Sequence, residues 1–115
     1  MTDEMTSHAE LAAGRWRALT LAEQLAHVGS EVDRAIVAWQ AHRVDRFERA
    51  LARALELFDL TAGDDRWRGH RRREILRSRE EFCRLFFEAH PPSGAARTLS
   101  DYFLRFAVLA RRRST

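Results

Sequence analysis

An apolar stripe in the first third of the chain sets the strongest limit on its fold. Between Thr20 and Trp39, apolar residues recur at alternating steps of four and three positions: Leu21, Leu25, Val28, Val32, Ile36 and Trp39. Steps that average about 3.5 residues align side chains along one face of a helix, which is stable only where other helices cover it. The spacing therefore predicts a helix from Leu21 to about His42 that packs against further helices.

Two local signals refine this first helix. Thr20 and Glu23 have the capping-box spacing directly ahead of the stripe, so the helix is expected to begin at Leu21. Gly29 lies near its middle, where a glycine costs about 1 kcal/mol relative to alanine. A small residue permits close packing, so we expect the backbone of another helix to approach Gly29.

Three more helical segments follow. The second is expected to begin at the capping-box pair Asp45 and Glu48 and to end at Gly63. The third is expected from about Arg68 to Ala89 and the fourth from Leu99 to about Arg111. The intervening segment contains both prolines and a glycine, so it is predicted to be a loop.

These segments predict an all-α fold, an up-down-up-down four-helix bundle with a short N-terminal helical arm. Residues 1–19 are expected to form a polar tail and the arm, with Trp16 as the anchor of the arm. Residues 20–112 are expected to form the bundle. A chain of 115 residues has the length of a single domain with one modest core.

Composition narrows the class of protein further. All 20 basic residues are arginine and 17 residues are acidic, so the net charge is only +3 and the surface is not strongly cationic. A single cysteine excludes an internal disulfide. No apolar run approaches the roughly 18 to 20 residues of a membrane span, and the N-terminus lacks the pattern of a secretory signal. We therefore expect a cytoplasmic protein without membrane contact.

Polar residues interrupt the apolar stripes and predict a buried polar cluster. Arg79 follows Ile75 at helical spacing within the stripe of the third helix. A buried arginine needs a carboxylate, so Asp59 or Glu31 is its expected partner. The predicted cluster comprises Gln24, Glu31, Asp59 and Arg79. Two interpretations stay open, an ion pair that sets helix register and a polar pocket for an anionic ligand.

The densest basic stretch offers candidate phosphate-binding residues. They are Arg66, Arg68, Arg71 and Arg72, and Trp67 between them could stack on a base. Acidic residues such as Glu74 stand at helical pairing distance from these arginines. The pattern therefore favours a salt-bridged surface, with nucleic-acid binding as the alternative.

The last two predicted helices carry more apolar residues than a single buried face requires. Leu104 and Val108 lie nearly opposite the main apolar face of the fourth helix, and Phe87 widens the apolar arc of the third. We expect Leu104, Val108 and Phe87 to be covered by the N-terminal arm, by a second copy in a homodimer or by another protein.

Candidate catalytic chemistry is limited to one pair. Arg84 and His90 have the arginine-to-histidine spacing found in HEPN-type ribonucleases, which are also small helical bundles. No metal-ligand spacing, glycine-rich phosphate loop or nucleophile motif occurs, so neither a metal site nor a cofactor is predicted.

Four segments resemble a family of small, uncharacterised prokaryotic helical proteins. They are EQLAHVGSEVDRAI (23–36), RALELFDLT (53–61), REILRSREEF (73–82) and YFLRFAVLAR (102–111). The resemblance implies similar domain limits and no particular activity. We expect a non-enzymatic protein-interaction module that acts as a homodimer or as the small partner of a second protein. The alternative is a HEPN-like RNA-binding or ribonuclease bundle.

Overall fold

The computed structural model describes residues 14–114, and these residues form helices and no strands. A short helical segment at 14–17 comes first. Four long helices follow: α1 (Leu21–Gln40), α2 (Val44–Ala62), α3 (His70–Phe87) and α4 (Ala95–Ser114). The predicted all-α class is confirmed. Most of the predicted tail and arm, residues 1–13, lies outside the described residues.

The start of α1 agrees with the sequence pattern. The backbone N–H of Glu23 donates to Thr20 Oγ1 at 3.2 Å, and the backbone N–H of Thr20 donates to Glu23 Oε1 at 2.9 Å. This reciprocal capping box satisfies donors that the first helical turn leaves free. The helix ends at Gln40 rather than at His42, which has a φ of 56° and so departs from helical geometry.

The starts of α2 and α4 differ from the prediction. Helix α2 begins at Val44, and its N-cap residue Arg43 makes no side-chain hydrogen bond to the helix, so the predicted capping box at Asp45 is wrong. Helix α4 begins at Ala95, before the predicted start at Leu99, so Thr98 lies inside its first turn. The Thr98 hydroxyl donates to the carbonyl of Gly94 at 3.0 Å instead of capping a helix N–H.

The helices share one aromatic core. Helix α1 packs along both α2 and α4, while α3 contacts α2 and α4. Phe58, Phe82 and Phe103 are fully buried where they meet, with ring centroids 5.7 Å apart between Phe58 and Phe82. This pattern is compatible with the predicted bundle. Within residues 14–114, no helix is both long and apolar enough to cross a membrane.

Gly29 marks the closest approach between α1 and α4. A Cβ atom placed on Gly29 would lie 2.6 Å from the Cβ atom of Phe103. Real Cβ atoms do not come this close to another carbon, so only glycine fits this position without movement of α4. The close helix approach predicted at Gly29 is therefore confirmed, and the partner is α4.

A hydrogen bond between α3 and α4 gives a prediction for high pH. The Tyr102 hydroxyl donates to Glu74 Oε1 at 2.9 Å, and burial together with this carboxylate raises the pKa of Tyr102 to about 12. The neutral phenol is favoured in the folded state, so its contribution to stability is complete below about pH 10 and is lost as the pH rises towards 12.

Tyr102 is the single tyrosine, so tyrosinate absorbance reports on it alone. We expect its midpoint near 12 in protein that circular dichroism shows to be folded. Glu74→Gln should lower the midpoint partway, because the burial of the phenol remains. A midpoint near 10 in the folded wild-type chain would contradict this account.

Candidate interaction surface

The residues predicted to form one buried polar cluster do not come together. Gln24 is fully buried. Asp59 is exposed, and its Oδ1 atom accepts from Arg79 Nε at 3.1 Å near the surface. Glu31 pairs with Arg34 at 2.6 Å on α1. The expected pairing of Arg79 with Asp59 is present, but its predicted burial is wrong.

The register of α3 explains why Arg79 points outward. Ser78, and not Arg79, is buried between Ile75 and Phe82. The Ser78 hydroxyl donates to the carbonyl of Glu74 at 3.0 Å, so its polar group is satisfied within the helix. Arg79 lies beside these buried residues, and its long, flexible side chain lets the guanidinium group reach Asp59.

Gln24 instead organises a different polar network. Its Nε2 atom donates to the carbonyl of Trp16 at 2.8 Å and to Asp64 Oδ2 at 3.0 Å. Its Oε1 atom accepts from Trp67 Nε1 at 2.7 Å. Trp16 Nε1 in turn donates to Thr61 Oγ1 at 3.0 Å. Arg66 completes this network. We call its members the polar latch: Trp16, Gln24, Thr61, Asp64, Arg66 and Trp67.

Asp64 and Arg66 close the polar latch at its outer edge. Asp64 is buried, and Arg66 Nη2 donates to its Oδ2 atom at 2.7 Å and to the carbonyl of Leu19 at 2.8 Å. The hydrogen bonds from Arg66 hold the pKa of Asp64 well below its usual range, despite opposition from burial. The same contact raises the pKa of Arg66. Asp64 therefore remains a carboxylate across the physiological range.

The polar latch is a structural element and not an open site. Among the side chains of residues 14–112, no buried nitrogen or oxygen lacks a hydrogen-bond partner. Each polar group of Gln24 is directed at another part of the chain. The latch thus joins the segment at 14–17, the start of α1 and the loop between α2 and α3.

The candidate phosphate-binding arginines contact protein groups. Arg66 belongs to the polar latch and also lies 4.6 Å from the ring centroid of Trp67. Arg68 pairs with Asp65 at 3.6 Å. The other two have similar contacts: Arg72 Nε donates to the carbonyl of Ala62 at 2.7 Å, and Arg71 lies 5.7 Å from the Trp67 ring centroid. Ion pairs are therefore present for Arg66 and Arg68, whereas Arg71 and Arg72 contact an aromatic ring and a backbone carbonyl instead.

Arg84 and His90 have separate surroundings. Arg84 Nη2 donates to Glu80 Oε1 at 3.3 Å on α3. His90 is exposed beyond the end of α3, and it does not line the groove beside Arg84. The described residues show no contact between them. Within residues 14–114, no group of three or more His, Cys, Asp or Glu side chains is arranged to hold a metal ion.

The three residues predicted to form an interface are exposed. Leu104 and Val108 lie one turn apart on α4, and Phe87 is the last residue of α3. The Phe87 ring packs against Phe86 with centroids 6.5 Å apart. Phe87 therefore connects to an aromatic group that extends towards α1 and α2.

The aromatic group gathers where α1 and α3 end and α2 begins. Phe86 contacts Trp39 and Phe47, with ring centroids 5.4 and 4.8 Å apart. Trp39, Val44 and Phe87 remain 46%, 64% and 69% exposed. We call Trp39, Val44, Phe47, Phe86 and Phe87 the aromatic end. Apart from Phe87, the sequence pattern did not indicate it as an exposed surface.

A groove between α1 and α2 lies beside the aromatic end. It encloses about 760 Å³, and its lining includes the apolar residues Val37, Ala38, Ala41 and Ala50. The cationic residues that line it are Arg34, Arg43, Arg46, Arg49 and Arg53, and we call this feature the arginine groove. Ala38 and Arg43 also line the cleft around Trp39, so the arginine groove and the aromatic end are continuous.

The side chains that line the arginine groove carry more positive than negative charge. Its two carboxylates are engaged, since Glu31 pairs with Arg34 and Asp33 Oδ1 accepts from the Ser100 hydroxyl at 2.6 Å. The structure shows no ion pair from Arg43, Arg46 or Arg49 to any residue in 14–114. These three guanidinium groups can therefore contact a ligand without first breaking an internal pair.

Comparison with protein-family models, with curated proteins and with solved structures returns no match for this chain.

Proposed function

We propose that this chain is a non-enzymatic protein-interaction module, the small partner of a second protein, and that the aromatic end is its contact surface. We further propose that α1 to α4 form an up-down-up-down bundle, which holds the ends of α1 and α3 beside the start of α2. The aromatic side chains on these three elements then form one surface.

One observation carries the proposal, the joint exposure of Trp39, Val44 and Phe87. Contiguous exposed apolar side chains mark interaction surfaces, and Trp is among the residues that contribute most to binding energy. Ring contacts to Phe47 and Phe86 hold Trp39 and Phe87 in place. Little side-chain freedom is then left to lose when a partner binds.

The neighbouring arginines favour a different protein over a second copy. In a symmetric dimer the same surface meets itself, so contact through the aromatic end would bring two arginine grooves near each other. Like charges at an interface oppose association. A homodimer would instead use Leu104 and Val108, two of the three residues predicted for an interface with Phe87. Light scattering of Leu104→Glu against wild type tests it.

The test compares two apolar-to-acidic variants. Val44→Asp introduces a charge into the aromatic end at the first residue of α2, where an acidic residue is compatible with the helix dipole. Leu104→Asp makes the matched change at an exposed site on α4. A partner captured by wild type from cells that produce the protein is purified and titrated against both variants.

We expect Val44→Asp to weaken binding by about tenfold or more and Leu104→Asp to change it little. Circular dichroism verifies that both variants are folded. Equal binding by Val44→Asp and wild type would contradict the proposal. A loss confined to Leu104→Asp would place the interface on α4 and contradict it as well.

A further inference from the structure

We propose that the arginine groove binds an acidic amphipathic helix of the partner protein. This inference rests on the proposed function, because the arginine groove continues from the aromatic end through Ala38 and Arg43. It adds the chemistry of the partner, which the aromatic end alone does not specify.

The spacing of the arginines on α2 fits a helix. Arg46, Arg49 and Arg53 follow one another at i, i+3 and i+7, so they lie on one face and span roughly 10 Å along the axis. A second helix alongside α2 presents carboxylates at the same spacing. Arginine forks bind carboxylates through paired hydrogen bonds, which gives such a contact direction as well as charge complementarity.

The floor of the arginine groove fits the apolar side of the same helix. Ala38, Ala41 and Ala50 are small, so a docked helix can come close, and Val37 is exposed and available for contact. Burial of apolar surface supplies affinity that charge alone does not, since exposed ion pairs contribute about 0–1 kcal/mol each. An amphipathic helix in a groove is an established way of recognising a peptide.

The same features disfavour nucleic acid as the ligand. Glu31 and Asp33 line the arginine groove with the arginines, and a phosphate backbone that follows the groove would meet both carboxylates. Among the residues that the structure describes, no aromatic ring lines the arginine groove, so these residues offer bases nothing on which to stack. A helical peptide can place neutral or basic residues opposite Glu31 and Asp33.

Three labelled probes test the inference by fluorescence anisotropy near physiological salt. The first is a helical peptide of about 18 residues with leucine and alanine on one face and glutamates at i, i+3 and i+7 beside them. The second carries glutamine in place of each glutamate. The third is a single-stranded DNA of similar negative charge. We expect only the glutamate peptide to bind well, and to bind more weakly as salt increases.

Charge reversal locates the binding site. Arg49→Glu lies in the arginine groove and has no internal ion pair to lose, whereas Arg77→Glu makes the same charge change on the exposed face of α3. We expect Arg49→Glu to weaken binding of the glutamate peptide about tenfold and Arg77→Glu to weaken it less than about twofold. Thermal unfolding verifies that both variants remain folded.

Each of several results would overturn the inference. These are equal binding of the glutamine peptide, tighter binding of the DNA, and equal effects of Arg49→Glu and Arg77→Glu. Failure of the proposed function gives a different pattern. If capture of the natural partner depends on Val44 and not on Arg49, the aromatic end remains the interface and only the assignment of the arginine groove fails. If it depends on neither, both fail.

Discussion

Replacement of Gln24 by leucine is expected to lower the free energy of unfolding by about 3 kcal/mol, one of the two largest effects we expect from a single substitution in this chain. Leucine fills a similar space but removes one acceptor and the amide donors. The Trp67 indole N–H then loses its partner inside the protein, Asp64 loses one of its donors, and the Trp16 carbonyl keeps only the Leu19 N–H. An unsatisfied buried polar group costs about 1–3 kcal/mol, and leucine's own burial offsets only part of this.

Urea unfolding measures the effect, followed by tryptophan fluorescence, since two of the three tryptophans, Trp16 and Trp67, belong to the polar latch. The chain provides a matched control in Gln40, which is exposed at the end of α1. Gln40→Leu is expected to change stability by less than about 0.5 kcal/mol. If Gln24→Leu lost no more stability than Gln40→Leu, the polar latch would have no role in holding the fold together.

Gly29→Ala is expected to destabilise the protein by about 2 kcal/mol. An added Cβ atom would lie 2.6 Å from the Cβ atom of Phe103, which is attached to the backbone of α4 and cannot rotate away. Helix α4 must therefore shift, and overpacking of this kind costs about 1–3 kcal/mol or more. The higher helix propensity of alanine returns up to about 1 kcal/mol, so the observed loss is a net value.

Gly14→Ala separates helix propensity from packing in this experiment. Gly14 is helical, and a Cβ atom there would have no neighbour within 4 Å. We expect Gly14→Ala to leave the midpoint of thermal unfolding unchanged or slightly raised. A stabilising Gly29→Ala substitution would mean that α1 and α4 can separate at no cost, contrary to the packing described.

The sequence predicts those parts of the fold that depend on local signals. The capping box at Thr20 is a contact within four residues, and Gly29 is a residue of low helix propensity inside α1 whose presence close packing explains. The predicted cap at Asp45 is wrong because α2 already begins at Val44, so that Asp45 lies inside its first turn. The predicted start of the fourth helix at Leu99 is also wrong, since Gly94, with a φ of 79°, allows α4 to begin at Ala95.

The candidate surface was harder to predict because it depends on how the helices meet. Arg79 and Ser78 are adjacent, and one step in register decides which of them faces the core. The row of Arg46, Arg49 and Arg53 was visible as a spacing, but 20 arginines supply many such rows. It becomes distinctive only when the structure shows that these arginines line one groove, and that Arg46 and Arg49 have no ion pair there while Arg53 pairs with Glu56 at 3.8 Å.

The polar latch also bears on how long the folded state lasts. Its hydrogen bonds join residues far apart in sequence: Trp16 and Thr61 are separated by 45 positions, and Gln24 and Trp67 by 43. Helices and short hairpins form before contacts that close such long loops. We therefore expect the latch to assemble after the main folding barrier, so that it slows unfolding far more than it speeds folding. The lifetime of the native protein then depends on a network that has little influence on how quickly the protein folds.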